Sequence, residues 1–123
     1  MPKATNLVAI VEDDAAVRKS LDRLLRANGY ATCGFATAEE FLQSGIAESA
    51  IGLVLDIHLP GMSGIELRRN LLAAGSRLPV VFMTAVADEA VRAEAHAVGC
   101  VGYLEKPFEA KRLTDALERV KQL

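Results

Sequence analysis

Aromatic residues make up only 5% of this sequence, cysteine occurs twice, and there is no excess of positive charge. Each shortage narrows what the chain can be. With 51% hydrophobic residues and so few rings, the core has to be built from aliphatic side chains. A formal net charge of -2 with 24% charged residues provides no basic field of the kind that holds nucleic acid. Cys33 and Cys100 lack CxxC spacing and the density of a disulfide-stapled secreted scaffold, which points to a reducing compartment, the cytoplasm, and to two small core residues. No stretch approaches the roughly 18 consecutive apolar residues of a membrane span, and Met1 to Asn6 contains no apolar signal region. At 123 residues the chain is expected to be one domain, 1–123 with its core in 7–122, and to carry no effector domain.

What the sequence does have is a set of short aliphatic runs that end abruptly in chemistry. Leu53-Val54-Leu55 shows no alternation, reads as a strand buried on both faces, and closes on Asp56. Pro60-Gly61 then forces a turn, and Ser63 is the natural cap of the helix that follows, which leaves Asp56 free for another role. Leu7 to Val11 repeats the pattern, an unbroken run ending in Glu12-Asp13-Asp14. Between these strands, Val17, Leu21, Leu24 and Leu25 share one face of a helix over Ala15 to Asn28, with Arg18, Lys19, Arg23 and Arg26 on its solvated side. Tyr30 to Phe35 reads as a weaker strand, Thr37 to Leu42 as a short capped helix and Ser44 to Ser49 as a polar loop.

Ser63 to Ala74 reads as a helix with Ile65, Leu67, Leu71 and Leu72 apolar, and Leu78 to Met83 as a fourth strand ending at Thr84-Ala85. The helix Asp88 to Val98 is built largely from alanines and charges, so it buries little area and should be loosely held. Cys100 to Leu104 is the fifth strand, followed by Lys106-Pro107 and a last helix with Leu113, Ala116, Leu117 and Val120 on one face. Five strands alternating with five helices over short connections predict an α/β fold, a parallel sheet covered on both sides.

Parallel strands deliver their C-terminal ends to one edge, where ligands and chemistry collect. Glu12, Asp13, Asp56, Thr84 and Lys106 therefore become neighbours. Three carboxylates this close repel one another unless a cation sits among them, and hard oxygen ligands suit Mg²⁺. Lys106 can meet a phosphoryl oxygen as a point charge, Thr84 can donate a hydroxyl to another, and Asp56 is left as the nucleophile.

Four motifs, Ile10-Val11-Glu12-Asp13-Asp14, Val54-Leu55-Asp56 through Gly64, Met83-Thr84-Ala85 and Tyr103-Leu104-Glu105-Lys106-Pro107-Phe108, occur in this order and spacing. With them, residues 7 to 122 resemble the receiver domain of two-component response regulators, most closely the nitrogen-fixation and nodulation type. The resemblance implies a flavodoxin-like doubly wound sheet of order 2-1-3-4-5 in a three-layer αβα sandwich. It implies that Asp56 accepts phosphate from a sensor histidine kinase, and that Asp13, Asp56 and the backbone carbonyl of His58 bind Mg²⁺ while Glu12 acts through a metal-bound water. It further implies that Thr84 and Lys106 contact the phosphoryl group, that small Ala85 leaves room beside it, and that Asp14 caps the first helix. Tyr103 matches a switch aromatic that turns inward when Thr84 moves. Lys106-Pro107 is usually a cis peptide in such domains.

The function implied is a phosphorelay switch, not an enzyme beyond Mg²⁺-dependent self-phosphorylation and self-dephosphorylation. Homodimerisation through 88–98, 101–105 and 109–122 and a separate effector domain go with it, without direct nucleic-acid or membrane binding by this domain. Departures from the family pattern are Glu12 at the first acidic position, His58 two residues after Asp56 and Val86 two after Thr84. His58 and His96 read as exposed histidines. Three rivals stand beside this reading. A haloacid-dehalogenase-type hydrolase would need a second acid where His58 stands, and a pseudo-receiver would not need the intact Asp13, Asp56, Thr84 and Lys106 set. A flavodoxin would want a hydroxyl-rich loop where this chain has three acids.

Overall fold

The computed structural model describes residues 6–123; residues 1–5, most of the segment read as lacking a signal region, lie outside them. The chain runs β1 (Leu7–Val11), α1 (Ala15–Ala27), β2 (Ala31–Phe35), α2 (Ala38–Ser44), a 3₁₀ turn (Ile46–Glu48), β3 (Gly52–Asp56), α3 (Gly64–Ala73), β4 (Val80–Thr84), α4 (Glu89–Val98), β5 (Gly102–Glu105) and α5 (Ala110–Lys121). Every strand pair is parallel, and the sheet order is β2-β1-β3-β4-β5, the expected flavodoxin-like arrangement.

Successive side chains of a strand point to opposite faces, so each central strand feeds two cores. Ala9, Val11, Leu53, Leu55 and Phe82 pack with Phe41, Leu67 and Leu71 from α2 and α3 and with Ala95 of α4. Val8, Ile10, Val54, Val81 and Met83 pack with Leu21 and Leu25 of α1 and with Leu113, Leu117 and Val120 of α5. The helices start at polar caps: Asp14 accepts from the Ala16 and Val17 N–H groups, Thr37 from Glu40, Asp88 from Ala90 and Val91. Ser63 and Glu66 form a reciprocal capping box at the start of α3.

The structure departs from the expected pattern at several edges. Leu72 is 44% exposed, because it lies about 100° around the helix from Leu71, beyond the buried stripe. Cys33 and Cys100 are half-buried rather than core residues; one sits in edge strand β2 and the other just before edge strand β5, where cover is incomplete. The fourth strand starts at Val80 rather than Leu78, since Pro79 has no N–H to give the ladder and only accepts, from Leu53 N–H at 2.9 Å. The polar loop over 44–49 contains the 3₁₀ turn, with Ile46 and Ala47 packed against the core. In α4 only Ala95 is fully buried, in line with the small buried area expected of a helix made of alanines and charges. Its far end is tethered by Arg68, which donates to the Gly99 carbonyl at 3.1 Å and to the Leu78 carbonyl at 2.7 Å. Among the described residues no helix is long and apolar enough to cross a membrane.

Candidate functional site

Strand register assembles the site. Val11 pairs with Leu55, so Glu12 and Asp56 stand side by side one step beyond. Asp56 pairs with Met83 and Thr84 with Glu105, which puts Thr84 and Lys106 one step past the same edge. Two backbone bonds continue the ladder there, Ile57 N–H to the Met83 carbonyl at 2.9 Å and Lys106 N–H to the Thr84 carbonyl at 2.7 Å. Lys106-Pro107 is a cis peptide.

Glu12 and Asp56 are buried, at 1% and 5% exposure, while Asp13 is exposed. One carboxylate oxygen from each of the three lies within 4.8 Å of the others. The Lys106 ammonium donates to Glu12 Oε1 and, at 3.1 Å, to Asp56 Oδ2. Burial works against the Lys106 charge, but the Glu12 and Asp56 carboxylates outweigh it and hold the ammonium above its ordinary value. Asp56 Oδ1 accepts from the His58 N–H at 3.1 Å, and Glu12 Oε2 from the Asp14 N–H at 3.1 Å. Lys106 bridges the two buried acids, and Asp13 completes the cluster from the solvent side. An all-oxygen donor set with one solvent-facing member fits a hard divalent cation that keeps part of its water.

Thr84 is fully buried, yet its hydroxyl turns to its own loop, donating to the Val86 carbonyl at 3.2 Å and accepting from the Val86 N–H at 3.1 Å. Ala85 is exposed beside it. Tyr103 lies on β5 under α4, its ring 5.8 Å from that of His96 and 5.7 Å from the Arg92 guanidinium carbon. Its hydroxyl is out of solvent and has no hydrogen-bond partner among the described residues. Burial, helped by the Glu105 charge, pushes the phenol above its ordinary value. The rings of His58 and His96 are exposed, and Asp14 caps α1. A groove of about 700 Å³ opens next to the cluster, lined by Asp13, His58, Pro60, Glu66, Arg69 and Val91 among others.

The sequence therefore brings together Glu12, Asp13, Asp56 and Lys106 as expected, with Thr84 adjacent but engaged elsewhere. Three supporting residues were not visible in it. Arg18, read as solvated, is half-buried and donates to the Glu12 carbonyl at 2.7 Å. Glu39 reaches from α2 to the Met62 N–H at 3.0 Å, clamping the loop after Asp56. Gly64 opens α3 so close to Asp56 that a Cβ there would lie 2.3 Å from the Asp56 carbonyl oxygen. A periodicity argument places side chains on faces and is silent about which backbone groups they reach.

The family model described as response regulator receiver domain matches residues 8–118. The chain belongs to the response regulator receiver family. It is 37% identical over 90% of its length to nodulation protein W of Bradyrhizobium diazoefficiens, covering 49% of that protein. It is 39% identical over 90% of its length to the transcriptional regulatory protein FixJ of the same organism, covering 54% of it. The receiver thus spans about half the length of these curated relatives. Among solved structures, that of FixJ-N matches with a TM-score of 0.86 and 38% identity over 95% of this chain and 94% of that one. The response regulator StyR matches with 0.89 and 41% over 97% and 60%. Receivers of this family act as phosphorylation-dependent switches.

Proposed function

We propose that Asp56 is the phosphoacceptor of this receiver and that its occupancy is converted into a changed surface at α4 and β5. The observation that carries the proposal is the clustering of Glu12, Asp13 and Asp56 at the C-terminal edge of the sheet, with the Lys106 ammonium bridging Glu12 and Asp56. The carboxylate oxygen of Asp56 attacks the phosphorus of a phosphohistidine on a sensor histidine kinase, the P–N bond breaks, and the imidazole leaves. Asp13, Asp56 and the His58 carbonyl would hold Mg²⁺, with Glu12 supporting it from beside them; the ion would supply positive charge to offset that of the phosphoryl oxygens. Lys106 is displaced from its carboxylate partners to meet one phosphoryl oxygen, and Thr84 exchanges its bonds to Val86 for another, with Ala85 leaving the space.

Release of Val86 frees the start of α4, a helix in which only Ala95 is fully buried, and Tyr103 turns inward with it. This is a population shift driven by the difference in phosphate contacts between two arrangements. The same acidic site supports slow self-phosphorylation from small phosphoryl donors and self-dephosphorylation. The partners that follow are the kinase, a second receiver meeting the face formed by 88–98, 101–105 and 109–122, and an effector segment as in the relatives named transcriptional regulators, all in the cytoplasm. Residues 7–122 act as one receiver unit that does not itself touch nucleic acid.

The test is intact mass after incubation with acetyl phosphate, with and without Mg²⁺, on wild type and Asp56→Asn. The expected result is a gain of about 80 Da in wild type with Mg²⁺ alone. A gain of the same size in Asp56→Asn would remove Asp56 from the role.

A further inference from the structure

Glu12 is held at both its backbone and its carboxylate. Its N–H donates to the Phe35 carbonyl on β2 at 3.0 Å, and its carboxylate accepts from Asp14 and Lys106. Its carbonyl accepts from Arg18 Nη1 at 2.7 Å, across the first turn of α1. That carbonyl oxygen belongs to the planar peptide joining Glu12 to Asp13. Whatever holds the oxygen therefore sets the rotation of the peptide, and with it the directions in which the two acidic side chains leave the backbone.

Arg18 reaches this position by a path that depends on a second residue. Its stem lies over Gly34 in β2, where an added Cβ would meet Arg18 Cδ at 3.2 Å and Cγ at 3.3 Å. A side chain at position 34 would push the stem outward by a few tenths of an ångström. The guanidinium end is thus steered by a missing side chain on one strand to a carbonyl at the end of the next.

We propose that Arg18, laid across Gly34, is a positioning residue for the cation site: it fixes the Glu12–Asp13 peptide and so sets how tightly the acidic pair binds Mg²⁺. The proposal rests on the reading of Glu12, Asp13 and Asp56 as an Mg²⁺ site. Arg18 touches neither the ion nor the phosphoryl group. Without it the peptide has to be ordered by the ion itself, at a cost in affinity but not in the chemistry of the loaded site.

Amide NMR titration of the full chain with MgCl₂ gives the Kd for wild type, Arg18→Met, Arg18→Lys, Gly34→Ala and the Arg18→Met/Gly34→Ala pair. Thermal melts without Mg²⁺ report any loss of fold. Arg18→Met keeps the apolar stem and deletes the donor; its Kd is expected to rise about fivefold, the equivalent of about 1 kcal/mol for one hydrogen bond. Arg18→Lys, which keeps a donor, recovers part of that. Gly34→Ala raises the Kd alone and adds less in the Arg18→Met background, where no donor is left to displace. Phosphorylation by acetyl phosphate at saturating Mg²⁺ stays within about twofold of wild type. A wild-type Kd in folded Arg18→Met overturns the proposal, as does a loss that tracks the melting temperature and is not recovered by Arg18→Lys. Failure of wild type to bind Mg²⁺ overturns the underlying site reading together with this one; binding by wild type with Arg18→Met unchanged overturns this one alone.

Discussion

Replacing Gly64 by alanine probes how closely the acceptor strand and α3 are fitted. An added Cβ would lie 2.3 Å from the Asp56 carbonyl oxygen and 2.9 Å from Ile57 Cα, and both are backbone atoms that no rotamer change can move aside. Forcing a methyl into a filled site costs about 1–3 kcal/mol, and contacts this short belong at the top of that range. The helix propensity gained from glycine to alanine returns at most about 1 kcal/mol. The net expectation is a destabilisation of about 2 kcal/mol. Unfolding entropy of about 2.1 cal/mol/K per residue over 123 residues then gives a fall in Tm of about 8 °C. Gly75→Ala is the control, since its φ of +83° strains alanine but nothing lies within 4 Å of the added atom. That strain alone costs about 1 kcal/mol or somewhat more. Thermal melts and urea titrations of the three proteins give the comparison. A Gly64→Ala protein as stable as wild type, or no less stable than Gly75→Ala, would refute the packing argument.

Two further substitutions test tethers. Arg68→Ala removes both bonds that hold the Gly99 and Leu78 carbonyls; a loss of about 1–3 kcal/mol is expected, with hydrogen exchange accelerating first in α4, and uniform acceleration across the sheet would count against a local tether. The Met62 N–H bond holds the Glu39 carboxyl below its ordinary value of 4.5. A depressed carboxylate stabilises the fold above its unfolded pKa, and that contribution fades as pH falls through the lower, folded value. The Met62 amide resonance should therefore move with a midpoint below 4.5 in wild type and stay still in Glu39→Gln; an amide that titrates equally in both would show that the clamp does not form.

The parts of the site that were legible in the sequence share one signature. At Val11-Glu12 and Leu55-Asp56 an aliphatic run breaks directly into acid, and in a parallel sheet such breaks all fall at one edge, so Glu12, Asp13, Asp56 and Lys106 were bound to meet. The strand order carries the same information, because short connections allow few ways to wind five parallel strands. Arg18, Arg68 and Glu39 were hidden for a common reason: their partners are backbone atoms of other elements, and nothing in helical spacing marks them. The Thr84 hydroxyl was hidden differently. Its position is fixed by the strand, but its direction is a rotamer, decided by whichever acceptor is nearest, and here that is Val86. Leu72 and the two cysteines show the limit of composition, which says that a residue type is apolar and not whether its element is covered on that side.

The central claim is that occupancy of Asp56 is transmitted to α4 and β5. Amide NMR of the protein with Mg²⁺, before and after addition of beryllofluoride as a stand-in for the phosphoryl group, tests it most directly. Coordinated shifts through residues 84–98 and at Tyr103, absent in Asp56→Asn, are the predicted result. Shifts confined to residues 12–14 and 56–58, with α4 and Tyr103 unmoved, would contradict it.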